Sequence, residues 1–167
     1  LEFPDEILLV KSSMQEEGGA ISYTRENYMV VRGVVSENYL VHELFHILTR
    51  YKPERRNELF KTINFVESNR IEYPSAIRDM VITNPDAPFL EHTITLEIEG
   101  GSEEVVFILI SEDEWDGGSF FTYMKQRLMY VEGGNENKKA LLVGDDPVLR
   151  NFAAATNLKQ KIGTNTN

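Results

Sequence analysis

Val41-His42-Glu43-Leu44-Phe45-His46 sets the reading of this chain. Two of its three histidines stand four residues apart, with a glutamate beside the first. On an α-helix, positions i and i+4 share a face, so both imidazoles can reach one metal ion. Glu43 projects from the neighbouring side, where it can take a proton from water that the metal activates. That pattern points to a zinc-dependent peptidase, with His42 and His46 as metal ligands and Glu43 as the catalytic base. The bland alternative is a helix carrying two surface histidines and a stray acid.

The surroundings favour a helix. Ser36 suits an N-cap, and Glu37 places negative charge in the first turn, where the helix dipole favours it. Leu40, Leu44, Ile47, Leu48 and Tyr51 recur at helical spacing, and Val41 and Phe45 widen the stripe. Arg50 and Lys52 stand at the C-terminal end and Pro53 stops the run. A mostly buried helix of about four turns is expected. Histidines on it call for a partner, and a metal ion serves both at once.

Composition bounds the alternatives. At 167 residues the chain suits one domain, 1–167, able to bury a core without staples. A net charge of −10 with no basic stripe argues against nucleic acid as a partner. No apolar run approaches membrane-spanning length. The absence of cysteine excludes disulfides and thiolate zinc sites. The chain begins at Leu1 with neither methionine nor signal peptide, as in a processed or trimmed form. A soluble protein is expected, with export left open and oligomeric state undetermined.

Further along, residues 6–11 read as a strand, followed by a polar break at Gly18-Gly19. Residues 20–23 and 28–32 read as a strand pair or one bent strand. A second helix is expected from Pro53, with Leu59, Phe60 and Ile63 inward and Asn64 as a left-handed cap. Thr83-Asn84-Pro85-Asp86-Ala87-Pro88 reads as a rigid loop. Residues 92–98 and 104–110 read as an antiparallel hairpin across Gly100-Gly101. Residues 119–131 read as an amphipathic helix with Met124, Leu128 and Val131 inward. A last short helix is expected from Asp146-Pro147 through Ala155, before a frayed polar end. The sum is an α+β domain.

A resemblance enters here. Tyr23-Thr24-Arg25, His42 to Arg50 (HELFHILTR) and Thr83 to Pro88 (TNPDAP) are similar to a family of largely uncharacterised bacterial zincin-like metallopeptidases. The resemblance implies a zincin-like domain with a small antiparallel or mixed sheet, an HExxH active-site helix, a following helix, and a C-terminal hairpin and helix. It implies His42 and His46 as zinc ligands, Glu43 as general base, and a peptide or protein substrate. It also implies that the strand around 23–31 edges the cleft and can pair with an extended peptide.

The third ligand stays open. A catalytic zinc takes three protein ligands and one open position. Lys52 stands where the longer metzincin pattern needs a histidine or aspartate. Glu58 returns to about the level of His46 if the two helices form an antiparallel hairpin. Glu67 has spacing closer to thermolysin-like enzymes, and Asp86 and His92 are reachable through the rigid loop. By the resemblance, a residue beyond Asn167 in a histidine-proline-glutamate-glutamate segment is a further candidate. Arg25 and Arg50 are candidates for orienting substrate by forked hydrogen bonds, with surface ion pairing the plainer role. Asn84 and Asp86 read as turn chemistry or as supports for a ligating histidine. Phe120, Phe121 and Tyr123 read as core, and Trp115 has no assigned role. The alternative to a peptidase is an inactive zincin-fold module that binds a peptide or partner.

Overall fold

Val105 to Ile110 is six apolar residues in succession, which suits a strand covered on both faces. In the computed structural model, which describes residues 2–15, 22–83, 89–98, 101–114 and 120–152, this run forms most of β6 (Gly101–Ser111). It is the central strand of the larger sheet. β5 (Leu90–Ile98) pairs with it antiparallel on one side, Ile94 opposite Val105 and Ile98 opposite Gly101. β7 (Met124–Glu132) pairs on the other side, Val106 opposite Met129. β4 (Phe65–Ile71) adds beyond β5. β11 (Leu149–Asn151) and β8 (Lys139–Ala140) both pair with β7. β9 (Leu142–Val143) and β10 (Asp146–Pro147) form a small separate hairpin.

The hydrophobic sorting follows the pleat, because alternate residues point to opposite faces. Val106, Ile108, Ile110, Met129 and Val131 pack with Ile71 in one cluster, while Val105, Leu128 and Leu96 pack in another. Asn69 ties β4 to the segment after β7. Its N–H donates to the Asn135 carbonyl (2.7 Å) and its amide brackets the Lys138 backbone. Gly133 turns the chain at φ +97, and a Cβ there would lie 2.7 Å from the Asn137 carbonyl oxygen.

The described residues fall into two compact units. Residues 63–83, 89–98, 101–114 and 124–152 make the one just described, and residues 2–15, 22–62 and 120–123 make the other. In the latter, β2 (Ser22–Arg25) and β3 (Tyr28–Val31) form a hairpin across Glu26-Asn27, with Glu26 at φ +45. β1 (Leu8–Lys11) runs parallel to β3 on its other side, giving the order β1-β3-β2. The helix α1 (Glu37–Tyr51) packs on β2, and α2 (Pro53–Thr62) follows at once. Asn64 closes that region in the left-handed conformation, φ +66. A short α3 (Phe120–Tyr123) precedes β7. Among the described residues no helix is long and apolar enough to cross a membrane.

This architecture corrects the expected fold class. The chain is mostly β, not the helix-rich α+β zincin-like domain with a small sheet. The helix expected over 119–131 is helical only at Phe120–Tyr123, and Met124 onward is β7. Met124, Leu128 and Val131 do fit a helical period. Leu128 and Met129, however, are buried in different clusters on opposite faces, so period-two alternation is hidden by burial on both sides. The last helix fails too: Asp146–Pro147 and Leu149–Asn151 are strands, held by Val148 N–H to Leu141 O (2.9 Å) and Tyr130 N–H to Val148 O (3.0 Å). Residues 153–155 lie outside the described residues. α1 is also less buried than its stripe predicts. Ile47 and Leu48 are buried, but Val41, Phe45 and Tyr51 are exposed.

One buried ion pair anchors the larger sheet. Lys138 is 5% exposed, and its Nζ donates to Glu104 Oε2 (2.5 Å) and to the Gly133 carbonyl (2.7 Å). Thr93 donates to the other Glu104 oxygen. Burial by itself raises the Glu104 pKa, but the bonds from Lys138 and Thr93 and the Lys138 charge outweigh it, holding the carboxyl below its usual range. A carboxylate whose pKa is depressed by folding contributes stability above the ordinary carboxylate range, and loses it as pH falls through the folded value. Glu104→Gln is therefore expected to destabilise the protein by about 1–3 kcal/mol at neutral pH, the cost of leaving a buried ammonium without its charged partner. It is also expected to flatten the acid limb of the stability curve. Denaturant melts at pH 7 and pH 3 check both; equal losses at the two pH values would show the pair is not the acid-sensitive element.

Candidate metal centre

His42 and His46 lie one helical turn apart on α1, and the helix directs both rings the same way. Their Nε2 atoms are 3.0 Å apart and the rings meet edge to face, centroids 4.6 Å apart. Two nitrogens bound tetrahedrally to zinc at about 2.0–2.1 Å lie about 3.3 Å from each other. The pair is therefore close to the spacing a single ion requires. At this distance one ring nitrogen can donate to the other, the tautomers deciding which. His42 is exposed and His46 half-buried, with Phe45 edge-on to His46 at 6.4 Å. Phe45 stacks in turn on Phe60 of α2 (6.2 Å), which stiffens the turn between the two histidines.

Glu43 points into the packing of α1 on β2. It is 3% exposed, and Oε1 accepts a hydrogen bond from Ser22 Oγ at 2.7 Å. Oε2 is buried and has no hydrogen-bond partner among the described residues. A buried carboxylate oxygen left unsatisfied is costly, which suits a group that receives a proton or ligand when the site is filled. Two residues further along β2, Thr24 is wholly buried and accepts from Arg50 Nη2 at 2.6 Å. Ser22 and Thr24 thus tie the strand to α1 at Glu43, inside the motif, and at Arg50, one turn beyond it. Thr49 Oγ1 donates to the His46 carbonyl (3.2 Å), securing the backbone that carries the second histidine.

Neither hydroxyl was singled out by the motif. Their signal is the alternation Ser22-Tyr23-Thr24-Arg25, which puts two hydroxyls on one face of a strand, but only tertiary packing shows which element that face meets. Arg50 meets Thr24 rather than open solvent. Arg25 lies over the Tyr23 ring at 4.9 Å and donates to the Thr24 carbonyl. The edge strand beside α1 is β2 alone, since Tyr28–Val31 is the central strand.

The described candidate third ligands lie on other elements than α1. Glu58 is exposed on α2 and paired with Arg55 at 2.5 Å. Glu67 and His92 sit opposite each other on β4 and β5, in the other compact unit. Asp86, with Asn84 and the rest of the proline loop, and Trp115 lie outside the described residues. Among the described residues, no group of three or more histidine, aspartate or glutamate side chains is placed to hold a metal ion. In comparison with known proteins, no protein-family model, no curated protein and no solved structure matches this chain.

Proposed function

We propose that this chain is a zinc-dependent metallopeptidase, in which His42 and His46 hold the ion and Glu43 is the general base in hydrolysis of peptide bonds. The observation that carries the reading is the 3.0 Å separation of the two Nε2 atoms on one helix turn. The buried Glu43 Oε2, with no hydrogen-bond partner among the described residues, supports it. Bound zinc supplies Lewis acidity, polarising a scissile carbonyl and making water a better proton donor. Glu43 takes the proton from water at Oε2 and delivers it to the departing amine. Ser22 holds Oε1 throughout, fixing which oxygen is free to act. Zinc content and cleavage of a mixed peptide library by the wild-type protein test this together. One zinc per chain with metal-dependent cleavage is the expected result, and a zinc-free protein that cleaves nothing overturns it.

A second reading is a binding module for a peptide or protein partner, with no turnover. It is favoured by the burial of Glu43 against Ser22, which also serves to staple α1 to β2. Zinc binding without cleavage of any library member would select it.

A further inference from the structure

The solvent face of α1 carries the histidine pair in uncharged surroundings. Asn38, Val41, His42 and Phe45 follow the i, i+3, i+4, i+7 spacing of one helix face, and all four are exposed, Val41 by 60% and Phe45 by 36%. From Asn38 to Thr49 the one acid or strong base is Glu43, and it is buried against β2. The chain as a whole is 26% charged, with a net charge of −10. Two copies therefore meet with least repulsion across an apolar face that carries no acid.

The ligand count says what such a meeting supplies. Ring nitrogens 3.0 Å apart fit two neighbouring positions of a tetrahedral zinc ion and leave two more. A two-fold axis through the ion brings an identical pair to the other two, so the patch is its own complement. We propose that α1 docks on α1 of a second copy of this chain, with one zinc ion held by His42 and His46 of both. The pairing rests on the two histidines being zinc ligands, as proposed above, and not on Glu43 being a base. Val41 and Phe45 share the face with His42, so the same axis brings them together beside the ion. Four imidazoles make a closed site with no position for water, whereas one pair leaves the site open. The ratio of zinc to protein then selects the state. When zinc is short, chains share ions in pairs and hydrolysis is silent. Excess zinc gives each chain its own ion and separates the pairs by mass action. A face of this size buries less than the roughly 1,200 Å² of a standard interface, so the ion, not the apolar area, holds the dimer.

Sedimentation equilibrium of the full chain, at fixed protein and rising zinc, tests this. A monomer is expected in chelator, a dimer with one zinc per two chains at half an equivalent, and a monomer again in large excess of zinc. His42→Ala should abolish the dimer at every ratio. Val41→Lys sets two ammonium groups near each other across the axis. It should weaken the dimer about tenfold or more, while one-to-one uptake in excess zinc persists. Val41 is exposed and outside the core clusters, so that variant should melt like wild type. A dimer that survives chelator, growth beyond dimers, or a Val41→Lys protein that pairs as well as wild type overturns the pairing. A protein that takes up zinc yet stays monomeric at every ratio also overturns it, and leaves the histidines as ligands. A chain that takes up no zinc removes the pairing and the metal reading together.

Discussion

Replacing either histidine of the pair, as His42→Ala or His46→Ala, is expected to weaken zinc binding by more than about a hundredfold. Even outer partners of a zinc histidine are worth 10–100-fold in affinity, and a direct ligand is worth more. The fold should tolerate the change. His42 is exposed and His46 half-buried, and neither belongs to a core cluster, so a melt within about 0.5 kcal/mol of wild type is expected for His42→Ala. The two losses should not add in the double variant, since removing one ligand already dismantles a shared site. Glu58→Gln is the matched control. Because that carboxylate is exposed and engaged with Arg55, its removal should leave zinc affinity within about twofold, an exposed ion pair being worth well under 1 kcal/mol. Isothermal titration with zinc, run beside circular dichroism, reads all four proteins. Stoichiometric zinc retained by the double histidine variant sinks the metal assignment, and a large loss in Glu58→Gln makes Glu58 a ligand.

The parts of this fold that were legible are those governed by local chemistry. α1 begins after Ser36, whose side chain makes no capping bond, and ends before Pro53; the dipole and proline signals act within a few residues, and Asn64 takes the left-handed conformation expected of it. The hairpin of β5 and β6 was legible because alternation on one strand and a continuous apolar run on the next leave few alternatives. β7 was not legible, since Leu128 and Met129 bury opposite faces and a strand apolar on both sides imitates a helix over seven residues. The C-terminal strands were misread because Asp-Pro opens helices and also occupies strand edges, and the edge here is supplied by Tyr130 and Leu141, distant choices no local rule contains. At the site, the two histidines followed from a four-residue spacing. The burial of Glu43 did not, because it depends on Ser22, twenty-one residues earlier and on another element.

That tertiary contact sets the terms of the second large expectation. Glu43→Gln should reduce peptide hydrolysis by at least about a hundredfold, the scale of general-base catalysis, while leaving zinc affinity close to wild type. The amide keeps the shape of the carboxylate and can still accept from Ser22, so the packing of α1 on β2 survives. What it loses is basicity at Oε2, the oxygen with no partner among the described residues. Ser22→Ala probes the same carboxylate from the other side. It removes the bond that fixes Oε1 but leaves the base, and so should retain more turnover than Glu43→Gln at equal zinc occupancy. Glu43→Ala separates chemistry from structure. It strands the Ser22 hydroxyl and opens a gap beside buried Ile47, and should cost about 1–3 kcal/mol of stability that Glu43→Gln does not. Turnover, zinc titration and melting of the three variants therefore give three different rankings if Glu43 is a base. A single ranking in which turnover simply follows stability would assign Glu43 to holding the helix against β2, and with it would go the hydrolytic reading of the site.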